Sequence, residues 1–207
     1  MSKKRKVILI LLAFLIIASS GAMIYLFRNN INDTVSKIKK EKNYTDKIKE
    51  YDYTLEERDT ELFSKTFKSL KKVLSNKEVD YEEYAKLLGE LYIIDLYTID
   101  NKENKYDVGG SDYIYPDIKD NYELKVKDTL YKYIKDNSDG KRTQSLPEVS
   151  SILASNLEKG TYKLNEKEFE SYQVDYSFEY KKDLGYDKKA TVTMIKDGKM
   201  LYVVEQK

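Results

Sequence analysis

Residues 171–181 read SYQVDYSFEYK, and this stretch decides the fold prediction because its polar and apolar side chains alternate without a break. Every even position from 172 to 180 is aromatic or valine, and every odd position from 171 to 181 is polar or charged. A period of two residues predicts a β-strand with one buried face and one face in water.

The residues that follow predict a hairpin. Residues 190–196 and 199–204 are rich in β-formers and flank Asp197-Gly198, a preferred pair for a two-residue type I′ turn. That turn places Met194 opposite Leu201 and gives one apolar face. Residues 148–157 and 161–164 are weaker strand candidates, so the sequence predicts an antiparallel sheet of three to four strands.

Three helices are predicted before the sheet. The first two begin at the capping boxes Thr54–Glu57 and Asp80–Glu83, and end near residues 76 and 99. The second is apolar on more than one face, so we expect it to be the most buried helix. A loop over residues 101–111 follows, in which Gly109-Gly110 permits positive φ or close approach of another group. The third helix begins at Pro116, has apolar residues on one side up to Ile134, and ends at the stop signal Asn137-Ser138-Asp139-Gly140.

The N-terminal segment predicts a membrane anchor. Residues 7–27, VILILLAFLIIASSGAMIYLF, carry no charge and follow KKRK at positions 3–6. As a helix this segment is about 31 Å long, which matches the hydrocarbon core of a bilayer. Basic residues before the span predict that the N-terminus is inside and the rest of the chain outside. We therefore expect a cytosolic tail (1–6), a transmembrane helix (7–27) in the lipid bilayer, a helical stalk (28–53) and an extracytoplasmic α+β domain (54–207).

A cleaved secretory signal is the alternative for this segment, with Ser20-Gly21-Ala22 as the cleavage region. The apolar run continues to Phe27, beyond such a cut, which favours an uncleaved anchor. The stalk has too few heptads for a coiled coil, so its sequence does not indicate a homo-oligomer.

Composition excludes several classes of function. The 37 basic and 36 acidic residues nearly cancel, which argues against nucleic acid as a partner. The chain has no Cys and no His, so a triad hydrolase, a thiolate metal site or a zinc enzyme is not expected. We predict no enzymatic activity, no cofactor and no metal site. The abundance of Lys, Asn, Ile and Tyr is typical of an AT-rich bacterial genome.

Two groups of residues are candidates for binding. Carboxylates around Gly109-Gly110, at Asp107 and Asp112, have the oxygen chemistry for calcium, although ordinary turn chemistry also explains them. Seven of the 20 tyrosines are candidates to line a cleft or partner surface for a sugar, peptide or lipid; the alternative is that they are core rings. They are Tyr92, Tyr97, Tyr113, Tyr115, Tyr172, Tyr176 and Tyr180.

In layout the chain resembles the cone-shaped cystatin-like fold of the nuclear-transport-factor-two superfamily. It also looks like the bitopic scaffold proteins of type IV secretion and conjugation machines. The shared features are the KKRK tail, the span at 7–27, the helix pair capped at 54 and 80, and the strand 170–181 with its Asp-Gly hairpin. The resemblance implies three helices on one face of the sheet and carries over no functional residue.

Two kinds of function fit these features. The first is an anchored bacterial envelope protein whose outer domain binds other envelope proteins, as in a secretion, conjugation or sporulation assembly. The alternative is an extracytoplasmic ligand-binding sensor or accessory module with a Tyr-lined cleft. A wall-acting hydrolase is the least favoured, since no pair of carboxylates stands out.

Overall fold

A computed structural model describes residues 43–207 of the chain. Residues 43–207 form one unit. The predicted tail, the transmembrane helix at 7–27 and stalk residues 28–42 lie outside the described residues.

Within residues 43–207 the structure has three α-helices, two short 3-10 helices (Ser111–Tyr113 and Pro116–Ile118) and six β-strands. The α-helices are α1 (Glu61–Leu74), α2 (Tyr81–Tyr97) and α3 (Lys119–Asp128). The strands are β1 (Tyr44–Ile48), β2 (Tyr53–Glu56), β3 (Val149–Leu164), β4 (Lys167–Tyr180), β5 (Lys189–Asp197) and β6 (Met200–Gln206). Strands β1 and β2 form a hairpin, and β3-β4-β5-β6 form a four-stranded antiparallel sheet in sequence order. The α+β prediction is confirmed.

Strand β4 carries the alternation that opened the sequence prediction. Its even positions from Tyr172 to Tyr180 are all buried, whereas Ser177 and Glu179 are exposed. The buried face packs against α2, in which 11 of 17 residues are buried. The predictions of a half-buried strand and of a highly buried second helix are both confirmed.

The prediction of two separate segments before β4 is corrected, because residues 149–164 form a single long strand. Strand β3 pairs with β4 through a tight turn at Asn165-Glu166, where both residues have positive φ. Two irregularities interrupt this pairing: one lies between Val149 and Ser151, and the other is a bulge between Ala154 and Leu157. The extra residue at this bulge obscured the two-residue period in the sequence.

The first predicted helix start is wrong and the second is right. Thr54 lies in β2, and α1 begins instead after Thr60, whose hydroxyl accepts a hydrogen bond from the Phe63 N–H at 3.2 Å. At the second box, the Asp80 carboxylate accepts from two amides of the first turn, as predicted. Thr54 does not start a helix because its neighbours Tyr53 and Leu55 bury their side chains from a strand.

The predicted helical stalk is also wrong from residue 44 onward. This part of the chain folds as β1 and the turn to β2, and Ile48, Tyr51 and Tyr53 belong to the core. The third helix is shorter than predicted: a 3-10 turn begins at Pro116, and α3 ends at Asp128.

The hairpin after β5 exists, but its predicted register is wrong. Asp197 pairs with Met200, so the two turn residues are Gly198 and Lys199, and Met194 faces Val203 instead of Leu201. The two registers differ by two positions on β6 and bury the same side chains. The apolar pattern therefore could not distinguish them.

Candidate functional site

Five of the seven candidate tyrosines lie between α2 and the sheet. Tyr92 and Tyr97 project from α2, and Tyr172, Tyr176 and Tyr180 project from β4, all of them buried. Their rings fill the space between helix and strand, which favours the core interpretation of these residues.

The hydroxyl groups of these five tyrosines bind other protein atoms. Tyr176 comes closest to α2, because Gly89 has no side chain to keep it away. The Tyr176 hydroxyl is 3.1 Å from both the Ala85 and the Lys86 carbonyl, and the Tyr180 hydroxyl donates to the Asp187 carbonyl at 2.7 Å. Gln206 accepts from Tyr92 at 2.8 Å and donates to Tyr97 at 2.7 Å. The Tyr172 hydroxyl donates to Glu170. Burial raises the pKa of Tyr92 and Tyr176, so these phenols stay neutral donors.

The other two candidate tyrosines are separate from this group. Tyr113 is buried beside Tyr53, with ring centroids 5.7 Å apart. Tyr115 is half-buried, and its ring centroid lies 5.9 Å from that of Phe169 and 5.5 Å from that of Tyr202. The structure therefore does not bring all seven tyrosines to one cleft, and Tyr115 alone among them is not buried.

The loop predicted around Gly109-Gly110 contains an ion-paired carboxylate. The Arg58 guanidinium binds both oxygens of Asp107, with 2.9 Å between Nη2 and Oδ1. Arg58 also donates to Glu56 at 2.7 Å. Burial opposes ionisation of Asp107, but Arg58 outweighs it and holds the pKa of this carboxyl below its ordinary value.

The calcium interpretation of this loop gains no support from the neighbouring acids. Asp112 lies 3.4 Å from the Lys119 ammonium, and no three acidic side chains of residues 43–207 converge on one point. Gly110 has φ +75°, and Gly109 is in close contact with α2, so both predicted uses of the glycine pair occur. The turn interpretation therefore accounts for these residues.

A second buried ion pair lies under the glycine loop. The Lys102 ammonium binds Oδ1 of Asp95 on α2, and the Lys102 side chain is only 2% exposed. The Gly110 N–H donates to the other Asp95 oxygen at 2.6 Å. The Tyr122 hydroxyl donates to the Gly109 carbonyl at 2.7 Å. Each oxygen of Asp95 thus has a donor, as a largely buried charge requires.

A narrow crevice lies beside Asp95, with no room for a water molecule. Its lining residues are Asp59, Thr60, Phe63, Ile94, Asp95, Thr98 and Asn101. Burial raises the pKa of Asp59 to about 6, and the charge of Asp95 adds to the shift, although the Glu56 N–H opposes it. The Asn101 Oδ1 atom is buried without a hydrogen-bond partner in the part of the chain that the structure describes. The chemistry available here is the uptake of a proton near neutral pH.

The raised pKa of Asp59 predicts a pH-dependent effect of Asp59→Asn. The folded chain binds this proton more tightly than the unfolded chain, so the contribution of Asp59 to stability is greatest at acidic pH and is lost as pH rises through about 6. We expect Asp59→Asn to raise the free energy of unfolding by about 3 kcal/mol at pH 8 and to leave it nearly unchanged at pH 4. Asparagine keeps an oxygen for the Glu56 N–H, which Asp59 accepts at 2.7 Å.

Urea unfolding between pH 4 and pH 8 measures this difference. Asp128→Asn is the control, because the Asp128 side chain is 60% exposed. The free energies of unfolding of Asp128→Asn and of wild type should differ by the same amount at every pH in this range. A constant difference between Asp59→Asn and wild type across the range would contradict the prediction.

Sequence reasoning missed the residues that hold this region together. Residues 43–207 contain only two arginines, Arg58 and Arg142, and both bind the loop that follows α2. Arg142 donates to the carbonyls of Asp100 (2.6 Å) and Lys102 (2.8 Å). In a chain that otherwise uses lysine, a rare arginine was the available signal, because its planar head forms several directed hydrogen bonds at once.

Comparison of the chain with protein-family models, curated proteins and solved structures gives no match. Among residues 43–207, no helix combines the length and apolar character needed to cross a bilayer.

Proposed function

We propose that this chain is a single-pass bacterial envelope protein that presents a non-enzymatic protein-interaction domain outside the cytoplasmic membrane. Its role would be that of a scaffold subunit in a secretion, conjugation or sporulation assembly. The observation that carries the proposal is the uncharged 21-residue segment 7–27 directly after four basic residues.

The chemistry of the described domain supports a binding role over a catalytic one. Five candidate tyrosine hydroxyls are engaged by protein partners, and the Arg58–Asp107 and Asp95–Lys102 pairs hold loops in place. These groups stabilise the fold, which leaves the surface for function. The order of two capped helices, a third helix and a four-stranded antiparallel sheet supports a cone-shaped, cystatin-like arrangement like that of type IV secretion scaffolds.

Cysteine labelling tests the proposed topology, because the native chain has no Cys to interfere. Tyr133→Cys places a thiol at a side chain that is 77% exposed, and Ser2→Cys places one in the N-terminal tail. In intact protoplasts, we expect a membrane-impermeant maleimide to label the cysteine at position 133 and to reach the cysteine at position 2 only after lysis. Both variants should stay in the membrane fraction after alkaline carbonate washing.

The same samples distinguish an anchor from a secretory signal. N-terminal sequencing of the mature chain should find the original N-terminus. A mature chain that begins near residue 23 and is recovered from the medium would overturn the anchored-scaffold proposal. Labelling at position 2 in intact cells would overturn the orientation.

A further inference from the structure

The two edges of the four-stranded sheet differ. At β6, the Tyr115 N–H donates to the Val203 carbonyl at 3.1 Å, so the segment before α3 covers part of that edge. Strand β3 pairs only with β4, and its other side has no neighbouring strand in the part of the chain that the structure describes. A long uncovered edge is a template for an additional strand.

The pairing of β4 shows which β3 groups face outward. The Phe178 N–H donates to the Lys188 carbonyl, on the side of β5. Because the backbone groups of successive residues point to opposite sides of a strand, those of residues 177 and 179 point to β3. The even-numbered residues of β4 direct their backbone groups to β5. The β3 residues opposite them therefore direct both N–H and C=O away from the sheet. In the regular part of the pairing these are Leu157, Lys159, Thr161 and Lys163.

The β3 edge is irregular in its first half and continuous in its second half. Ala154 also faces outward, but the bulge that follows it directly interrupts the ladder. Residues 158–161 are all exposed, and the pairing from Leu157 to Leu164 has no irregularity. An added strand can therefore form a continuous ladder only along residues 157–163.

Side chains along this half set the chemistry of an added strand. Lys159 and Lys163 lie on the face of the sheet that packs against α2. The Lys159 side chain is 54% exposed, and its ammonium pairs with Glu82 at 2.7 Å. Lys163 forms no ion pair within residues 43–207. Lysines on an edge disfavour uncharged or basic strands, whereas acidic residues opposite them are favourable cross-strand partners. On the other face, a Cβ at Gly160 would meet only Ser171 Oγ at 3.6 Å, so there is space for a ring.

We infer that residues 157–163 of β3 are a docking edge for an extended segment of a partner protein that carries two acidic residues four positions apart. An aromatic residue directly before the second acidic residue covers Gly160. The segment pairs antiparallel to β3, with its acidic residues opposite Lys163 and Lys159. This inference rests on the proposed interaction function and names the class of partner.

The peptide TVEVTFEVT carries this pattern and serves as the probe. With the full chain in detergent micelles, fluorescence anisotropy of the labelled peptide should show saturable binding. The peptide TVKVTFKVT should bind wild type at least about tenfold more weakly. The double variant Lys159→Glu/Lys163→Glu should reverse this preference. Equal binding of the two peptides, or none at millimolar concentration, would overturn the inference.

Thr161→Pro tests the main-chain ladder. It removes an outward N–H, whereas the bonds to β4 are made by the neighbouring residues Gly160 and Tyr162. We expect binding to weaken about tenfold or more while the circular dichroism melt is kept. If this variant unfolds, the peptide methylated on the nitrogen of its central Thr removes the matching donor instead. If the N-methylated peptide binds wild type as tightly as the unmethylated peptide, residues 157–163 are not a docking edge.

Crosslinking in cells separates this inference from the proposed function. If wild type and Thr161→Pro capture the same envelope proteins in the same amounts, the chain is an interaction protein but β3 is not its docking edge. If neither captures an envelope protein while the peptide result holds, the scaffold proposal fails and the edge remains.

Discussion

Replacing Lys102 by methionine is expected to lower the free energy of unfolding by about 3–5 kcal/mol. The Lys102 side chain is 2% exposed and its ammonium binds Asp95, which is itself 22% exposed. Methionine fills a similar volume but leaves the Asp95 carboxylate without its counter-charge. The cost is the desolvation of an unpaired charge, which exceeds the cost of losing an ion pair on the surface.

A double-mutant cycle measured by urea unfolding isolates this effect. Asp95→Asn/Lys102→Met removes both charges and keeps an oxygen for the Gly110 N–H, so most of the lost stability should return. Lys119→Met is the control: Lys119 and Asp112 are 37% and 51% exposed, and the change should be within about 0.5 kcal/mol. A loss for Lys102→Met no larger than that of the control would show that the pair does not stabilise the fold.

Elements with strong local patterns could be predicted from the sequence. Strand β4 alternates over its buried face, and α2 combines an Asp80 cap with a long apolar run. In each of them a single periodicity indicates one structure, and in α2 the cap agrees with it, so tertiary contacts reinforce the local preference.

Elements whose local signals conflict were mispredicted. Thr54 and Glu57 have the spacing of a capping box, but Tyr53 and Leu55 alternate into the core, and burial of those two side chains outweighs a single cap. A cap is worth about 1 kcal/mol, whereas burying a large apolar side chain is worth about 1.5–3 kcal/mol. The pairing between residues 44–48 and 53–56 then replaces the predicted stalk helix there.

The polar network under the glycine loop could be predicted only in part. Gly109-Gly110 was recognised as a place for close approach, but nothing in the sequence indicated what approaches it. Arg58 and Asp107 are 49 residues apart, and their pairing depends on how the β1–β2 hairpin meets the loop after α2. Periodicity describes one element at a time, so it contains no information about such contacts.

Gly109→Ala is expected to destabilise the domain by about 3 kcal/mol. A Cβ at this position would lie 2.0 Å from the Asp95 carbonyl oxygen and 2.9 Å from the Tyr131 hydroxyl. The Asp95 carbonyl belongs to the backbone of α2 and cannot rotate away as a side chain would. Moving the loop instead would break the bond from the Gly110 N–H to Asp95 and the bond between Tyr122 and the Gly109 carbonyl.

Gly160→Ala is the matched control for this substitution, measured by the same urea unfolding. A Cβ there meets only Ser171 Oγ at 3.6 Å, so alanine should be neutral or stabilise the strand by up to about 1 kcal/mol. Similar effects of the two substitutions would mean that the loop does not approach α2 as closely as the structure shows. A large loss at Gly109 alone would show that the stability of the domain depends on the close contact between the glycine loop and α2, the same loop that supplies the Gly110 N–H to Asp95.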